Sequence, residues 1–209
     1  MAIQIDIHGD LSRCGPDCGP FLAKWSAWCS KFDGKRLALI KIDGNYFNHL
    51  DRKSRQMITK AQRRGYTYGG FNYNDPNILQ DIYEINTSKK ERQNKPMSES
   101  YLEYPTPIGR ELQRCDTHKY LRVGGFKYSK MYAYCAIAFV NELAILNTII
   151  GHADALTDGV MNGLIDYLVM ICESERIRYL NYLTIESSGE SLQAFKHSVG
   201  FESYEVRFV

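Results

Sequence analysis

The sequence lacks any apolar run long enough to cross a bilayer. A membrane-spanning helix needs about 20 consecutive apolar residues, and the longest apolar stretch, residues 131–150, is interrupted by Asn141 and Glu142. A basic leader followed by an apolar segment is also missing at the N-terminus, so a cytoplasmic protein with no membrane partner is expected. There is no large excess of one charge; the formal net charge is +2. A polyanion would therefore have to be met by a local cluster of cations. No internal repeat or low-complexity tract is present, which excludes a solenoid or a long compositional linker. The tight C-x2-C knuckle common in zinc sites is absent as well.

What is present describes an ordinary globular domain. With 209 residues, 44% hydrophobic and 24% charged, the chain can bury one sizeable core. Of six cysteines, Cys135 and Cys172 lie inside apolar patterns and read as core. Without a leader the cysteines are expected as thiols. Cys14-x3-Cys18, Cys29 and Cys115-x2-His118, with His8 as a further candidate, could assemble a zinc site. Their spacing is loose and no metal is assigned.

Alternating Ile3, Ile5 and Ile7 predict a short strand. A Cys/Gly/Pro-rich loop follows, then a helix over 21–32 ended by Asp33-Gly34 and a strand over 37–42. Residues 52–64 form a very basic helix stopped by Gly65, and residues 66–73 are strand-like. Asp75-Pro76 opens a helix to about residue 88. Residues 89–118, with Pro96, Pro105, Pro107 and Gly109, read as a long loop. Residues 130–140 and 143–151 form a hairpin about the Asn141-Glu142 turn. Thr157 is the expected N-cap of a helix to about residue 173, followed by a strand over 178–185. The end of the chain reads as a helix with Leu192, Phe195 and Val199 on one face, a stop at Gly200, and a final strand from Phe201. Two strands joined by a crossover helix favour parallel pairing.

This order over residues 130–209 (strand, strand, helix, strand, helix, strand) resembles the second half of the GNAT superfamily of N-acyltransferases. Phe195-Lys196, and the upstream Arg52-x-x-Arg55 with Lys60-Ala61-x-Arg63-x-Gly65, are similar to the FemABX branch. The resemblance implies a single-domain α/β fold, a GNAT-like mixed sheet flanked by helices. Residues 37–209 would form the acyltransferase domain and 1–36 an N-terminal strand, loop and helix. It further implies an N-acyltransferase that moves an acyl or aminoacyl group from a thioester or ester donor to a primary amine. Acyl-CoA or aminoacyl-tRNA would be the co-substrate, with no tightly bound cofactor.

By the same resemblance the donor's phosphates would meet the loop before the long helix, with Ile150, His152, Thr157, Asp158 and Gly159 binding the donor. A helix N-terminus suits this task because its backbone N–H groups and dipole favour anions. Only one glycine stands in this loop, and Asp154 and Asp158 place two carboxylates there. Lys196 would stabilise negative charge at the reacting carbonyl; otherwise it is a solvated surface lysine. Glu186 would accept the amine proton, directly or through water, and Ser187 or Ser188 would bind the pantetheine or aminoacyl group. Ser187 and Glu190 equally fit a helix capping box. Arg52, Lys53, Arg55, Lys60, Arg63 and Arg64 have no acid among them, which suits a phosphate-bearing partner, tRNA or DNA included, or else a solvated helix face. Two other functions stay open: an acyltransferase that modifies nucleic-acid bases, and a binding module that keeps the fold without catalysis.

Overall fold

The computed structural model describes residues 3–8, 14, 18–92, 95–107, 115, 118–186 and 188–209. Eight strands form one mixed sheet: β1 Gln4–Ile7, β2 Lys35–Lys41, β3 Thr67–Gly70, β6 His118–Lys127, β7 Lys130–Val140, β8 Leu143–Gly151, β9 Tyr179–Asn181 and β10 Glu202–Phe208. Their spatial order is β1-β10-β2-β9-β8-β7-β6-β3. A separate two-residue pair, β4 Glu91–Arg92 with β5 Lys95–Pro96, stands off the sheet. The helices are α1 Gly19–Phe32, α2 Tyr46–His49, α3 Arg52–Arg63, α4 Pro76–Thr87, α5 Glu99–Leu102, α6 Val160–Ser174 and α7 Glu190–Ser198. Among the described residues no helix is long and apolar enough to cross a membrane.

Side-chain alternation along the strands builds two cores, one on each face. On β2, Leu37 and Leu39 pack with Trp25 and Phe32 of α1, while Ala38 and Ile40 pack with Leu164 and Leu168 of α6 and Ile58 of α3. A third cluster joins Ile82 and Ile85 of α4 to Met131, Tyr134 and Ile150. The N-terminal strand and helix share this architecture: β1 runs parallel to β10, and α1 covers the sheet.

The hairpin β7–β8 turns at Asn141, whose φ of 50° suits its tight turn. Asp51 and Asp75 cap α3 and α4 by accepting from Ser54 N and Asn77 N. β8 and β9 pair in parallel across α6, as the crossover predicts. β9 and β10 are not neighbours, because β2 lies between them and pairs antiparallel with both.

Three expectations are corrected. Residues 118–127 form a ten-residue strand where the sequence reading has loop ending at 118 and no element after it. Gly124 and Gly125 look like turn signals there, but they are packing glycines. A Cβ on Gly124 would lie 2.7 Å from Met131 Sδ, and one on Gly125 would lie 3.0 Å from the Tyr68 ring. Thr157 does not cap α6; it lies in a 3-10 turn, Ala153–Asp158, and Gly159 is the N-cap at φ 84°. The strand expected over 178–185 ends at Asn181. The Asn181 side chain donates to Ala38 O and Leu183 O and accepts from Leu183 N, and the chain parts from β8 there while Tyr182 N and Leu183 O still bond to Ala38 of β2.

Candidate active site

The early end of β9 opens the sheet. Its pairing with β8 covers only Leu143–Ile145 against Tyr179–Asn181. Beyond Ile145, β8 continues to Gly151 with β7 on one side and no strand on the other among the described residues. Alternate N–H and C=O groups of that free edge are therefore directed into a notch. Asn147 is the extra residue of a bulge against β7 at the same place, a feature that bends a strand and re-aims its backbone.

A cavity of about 510 Å³ occupies the notch. Ile149, Ile150 and Gly151 of β8 form one wall, and Tyr182, Leu192 and Phe195 form the other. Leu156, Met161 and Asn162 close it at the start of α6. Lys89, Glu91 and Arg92 supply its charged rim. Arg92 donates through Nη2 to Ile85 O at 2.9 Å and Ser88 Oγ at 3.2 Å. Its Nε is buried without a partner among the described residues, and burial holds the guanidinium below its ordinary pKa. A desolvated donor of this kind is costly.

Of the residues expected to bind the donor, Ile150 lines the cavity directly, and His152, Thr157, Asp158 and Gly159 form the turn that leads to α6. His152 Nδ1 accepts from Asp154 N at 3.3 Å, which caps this turn. Asp154 points into solvent. Asp158 pairs with Arg64 at 3.5 Å, and Lys60 Nζ donates to Thr157 O at 2.7 Å. The carboxylate closest to α6 thus has a cation beside it. The N-cap Gly159 offers no side chain to the first turn of α6, so that end keeps its affinity for an anion. Gly159 is required by packing too, since a Cβ there would sit 2.3 Å from Met57 O of α3.

Lys196 is neither a surface residue nor a lining residue of the cavity. It is 1% exposed, and its ammonium donates to Tyr182 O at 2.9 Å, Thr184 O at 2.6 Å and Ser188 Oγ at 2.9 Å. It also lies 4.3 Å from the centre of the Tyr182 ring. Burial lowers its pKa to about 8, against a smaller opposing effect of Glu186. All three ammonium donors are used to hold the segment between β9 and α7. Glu186 lies on the other side of that segment and accepts from Ser203 of β10 at 2.8 Å. Burial raises its carboxyl, but its own backbone amide, Ser203 and Arg36 outweigh this and set the pKa below the usual range. Ser187 lies outside the described residues, and α7 has Gly189 as an N-cap with no side-chain bond.

The basic helix forms a second surface beside this turn. Arg52, Arg55, Lys60, Arg63 and Arg64 line an open groove of about 860 Å³ with no acidic residue among its walls; Lys53 is exposed on the same helix. On the α4 face a smaller cavity of about 330 Å³ is lined by Tyr73, Tyr101, Tyr134, Arg122 and Thr148 among others.

Sequence reasoning passes over Tyr182, Asn162, Glu91 and Arg92. Tyr182 follows β9, Asn162 lies in α6, and Glu91 and Arg92 form β4; only the splitting of β8 from β9 brings them together. Glu91 and Arg92 fall in the expected loop 89–118. The density of charge at its start, Lys89-Lys90-Glu91-Arg92, is the one local signal.

No protein-family model and no curated protein matches the chain. Solved structures do. FemX superposes with a TM-score of 0.59 at 11% identity over 92% of this chain and 68% of its own. L-PGS from Bacillus licheniformis gives 0.52 at 12% identity over 81% and 60%. The C-terminal domain of a protein assigned as a lysylphosphatidylglycerol synthetase from Agrobacterium fabrum gives 0.50 at 16% identity over 88% and 63%. The chain thus spans less than two thirds of the last two structures. At these identities the likeness is one of fold: the chain has an atypical GNAT-like fold, related to that of FemX.

Proposed function

We propose that this chain transfers an acyl or aminoacyl group from an ester or thioester donor to a primary amine. The observation that carries the reading is the cavity in the β8–β9 notch, walled by apolar side chains and rimmed by Glu91 and Arg92. An acyl chain fits between Ile150 and Phe195. Its carbonyl meets the free backbone edge of β8 and the Arg92 guanidinium, which stabilise the charge that develops on oxygen as the amine attacks. Glu91 is the only carboxylate lining this cavity among the described residues, and it accepts the amine proton directly or through water. Collapse of the tetrahedral adduct expels the donor's alcohol or thiol, which takes up a proton. Lys196 acts here as a positioning residue, holding Tyr182 and Ser188 at the edge of the notch.

The basic groove of α3 favours a polyanionic donor, with an aminoacylated tRNA end ahead of acyl-CoA. The test is a direct comparison of donors. An aminoacylated RNA minihelix and acetyl-CoA, each carrying a labelled acyl group, are incubated with the protein and a mixture of primary amines. Label should move to amine from the minihelix, and a co-crystal should place the acyl group between Ile150 and Phe195. Transfer from acetyl-CoA alone would make acyl-CoA the donor. If neither donor bound in the notch, the reading would fail.

A further inference from the structure

Two segments about 100 positions apart in sequence converge at the opposite end of the sheet from the notch. Cys14 and Cys18 precede α1, Cys115 precedes β6, and His118 is the first residue of β6. The four ligand atoms all lie within 4.8 Å of one another. Cys14 Sγ is 3.7 Å from Cys115 Sγ and 3.8 Å from His118 Nδ1. Tetrahedral zinc bonds of ordinary length would set sulfur–sulfur edges at about 3.8 Å and sulfur–nitrogen edges at about 3.6 Å. Those two contacts already have the right size; the 2.8 Å between Cys115 Sγ and His118 Nδ1 would have to open. We propose that Cys14, Cys18, Cys115 and His118 bind one zinc ion in a closed, structural site.

Chemistry supports zinc over a cluster of plain thiols. Cys18 and His118 are buried. The imidazole turns Nδ1 to the sulfurs, and its Nε2 is buried without a partner among the described residues. Phe21 stacks on the ring at 3.7 Å with planes 4° apart and orients it, in place of the carboxylate that often holds a ligand histidine. Thiols are weak hydrogen-bond partners, so a buried imidazole facing three sulfurs is poorly compensated without an ion. A divalent cation would bind them as thiolates, release their protons to solvent and offset two of the three resulting charges. Soft sulfur with one imidazole suits zinc, and four protein ligands leave no position for water or substrate.

His118 pairs with Val140 at the hairpin end of the sheet, whereas the notch lies at Gly151. The ion would therefore act on the fold, tying the start of α1 to the start of β6. This inference is independent of the proposed reaction. Cys29 belongs to α1 yet stands outside the cluster, and His8 instead donates its backbone N–H to Glu142 Oε1.

The test is metal analysis of untagged protein purified without chelators. Stoichiometric zinc is expected. Cobalt added to metal-free protein should give the visible bands of a tetrahedral thiolate site. Cys115→Ser and His118→Ala should each lose the metal, while Cys29→Ser keeps it. Wild-type protein that carries no metal and gives no cobalt bands would overturn the proposal, as would a Cys14–Cys115 disulfide in metal-free protein. Retention of full zinc by both ligand variants would overturn the assignment of residues. The wild-type measurements decide the matter even if the variants fail to fold.

Discussion

The Lys196 ammonium donates to the Thr184 carbonyl oxygen at 2.6 Å, which joins the last helix to the segment that leaves β9. Tyr182 O and Ser188 Oγ complete its shell. Replacing it by methionine keeps the length of the side chain and removes the donor from Tyr182 O and Ser188 Oγ, while Thr184 O keeps the Ser188 hydroxyl as a donor at 3.1 Å. Each unmet buried acceptor costs about 1–3 kcal/mol, partly offset because a buried cation is also removed. Lys196→Met is expected to lower stability by about 1–3 kcal/mol. Hydrogen exchange in residues 182–186 should rise, with the rest of the sheet unchanged. Equal protection in both proteins would remove Lys196 from the positioning role.

The same lysine makes a pH prediction. Burial lowers its pKa from 10.5 to about 8. Between these values the unfolded chain binds the proton and the folded chain does not, so stability contributed by this group rises with pH across that window. The cost of burying the ammonium is fully present below pH 8 and is relieved by pH 10.5. Denaturant midpoints of wild type and Lys196→Met, measured across that range, should diverge as pH rises, because wild type gains stability that methionine, which does not titrate, cannot. Parallel curves would show that the ammonium keeps an ordinary pKa.

The groove on α3 predicts a salt-dependent contact. Arg52, Arg55 and Arg63 line it with no acidic residue in its walls, while Arg64 and Lys60 also bind the turn before α6. Arg52→Ala/Arg55→Ala/Arg63→Ala should weaken binding of an RNA minihelix at least tenfold. If each cation meets a phosphate, the slope of log affinity against log salt should become shallower by about 2–3. Tm should be little changed. An unchanged slope would mean that this face is simply solvated.

Much of the fold was legible because local signals agreed with the tertiary outcome. Asp75 stands where a helix starts, Gly65 and Gly200 stand where helices stop, and Asn141 marks the hairpin. β6 was not legible, since Gly124 and Gly125 are there to admit Met131, Phe126 and Tyr68, neighbours that only the folded sheet supplies. The site divides in the same way. Ile150 and the turn before α6 are contiguous in sequence and could be placed by the crossover pattern. Arg92, Tyr182 and Asn162 meet only because Asn181 ends β9 early. Lys196 was singled out by its position after Phe195, but its burial depends on where the carbonyls of residues 182 and 184 fall, which no helical periodicity encodes. Cys14, Cys18, Cys115 and His118 could be named as candidate ligands from the sequence, but the Cys14–Cys115 approach spans 101 positions, and no spacing rule selects these four over Cys29 and His8.

Gly159 gives a stability prediction tied to the site. At φ 84° a Cβ is disfavoured by about 1–2 kcal/mol, and here it would also lie 2.3 Å from Met57 O. Because that oxygen is α3 backbone, no side-chain rotation relieves the contact. Gly159→Ala should lower stability by about 3 kcal/mol or more, and it should separate α3 from the turn. Loss of the Arg64–Asp158 and Lys60–Thr157 contacts would then weaken donor binding even in the folded fraction. A Tm within a degree of wild type would show that α3 packs less closely on α6.

The charged rim of the notch predicts separable kinetic effects once the amine acceptor is known. Arg92 holds Ile85 O and Ser88 Oγ through Nη2 while its side chain lines the notch. Loss of a donor to a developing oxyanion costs about 10²–10³ in turnover, so Arg92→Met should lower kcat by that order with a smaller change in KM. Arg92→Lys should recover little, because an ammonium cannot span both the α4 carbonyl and the notch. Glu91→Gln should instead act through protonation. Turnover should fall at neutral pH and recover as pH rises, since an amine that deprotonates in solvent no longer needs a carboxylate to take its proton. If Glu91→Gln kept wild-type turnover at neutral pH, water alone would be the proton acceptor. If Arg92→Met raised KM without lowering kcat, the guanidinium would bind substrate and leave the oxyanion to the β8 backbone.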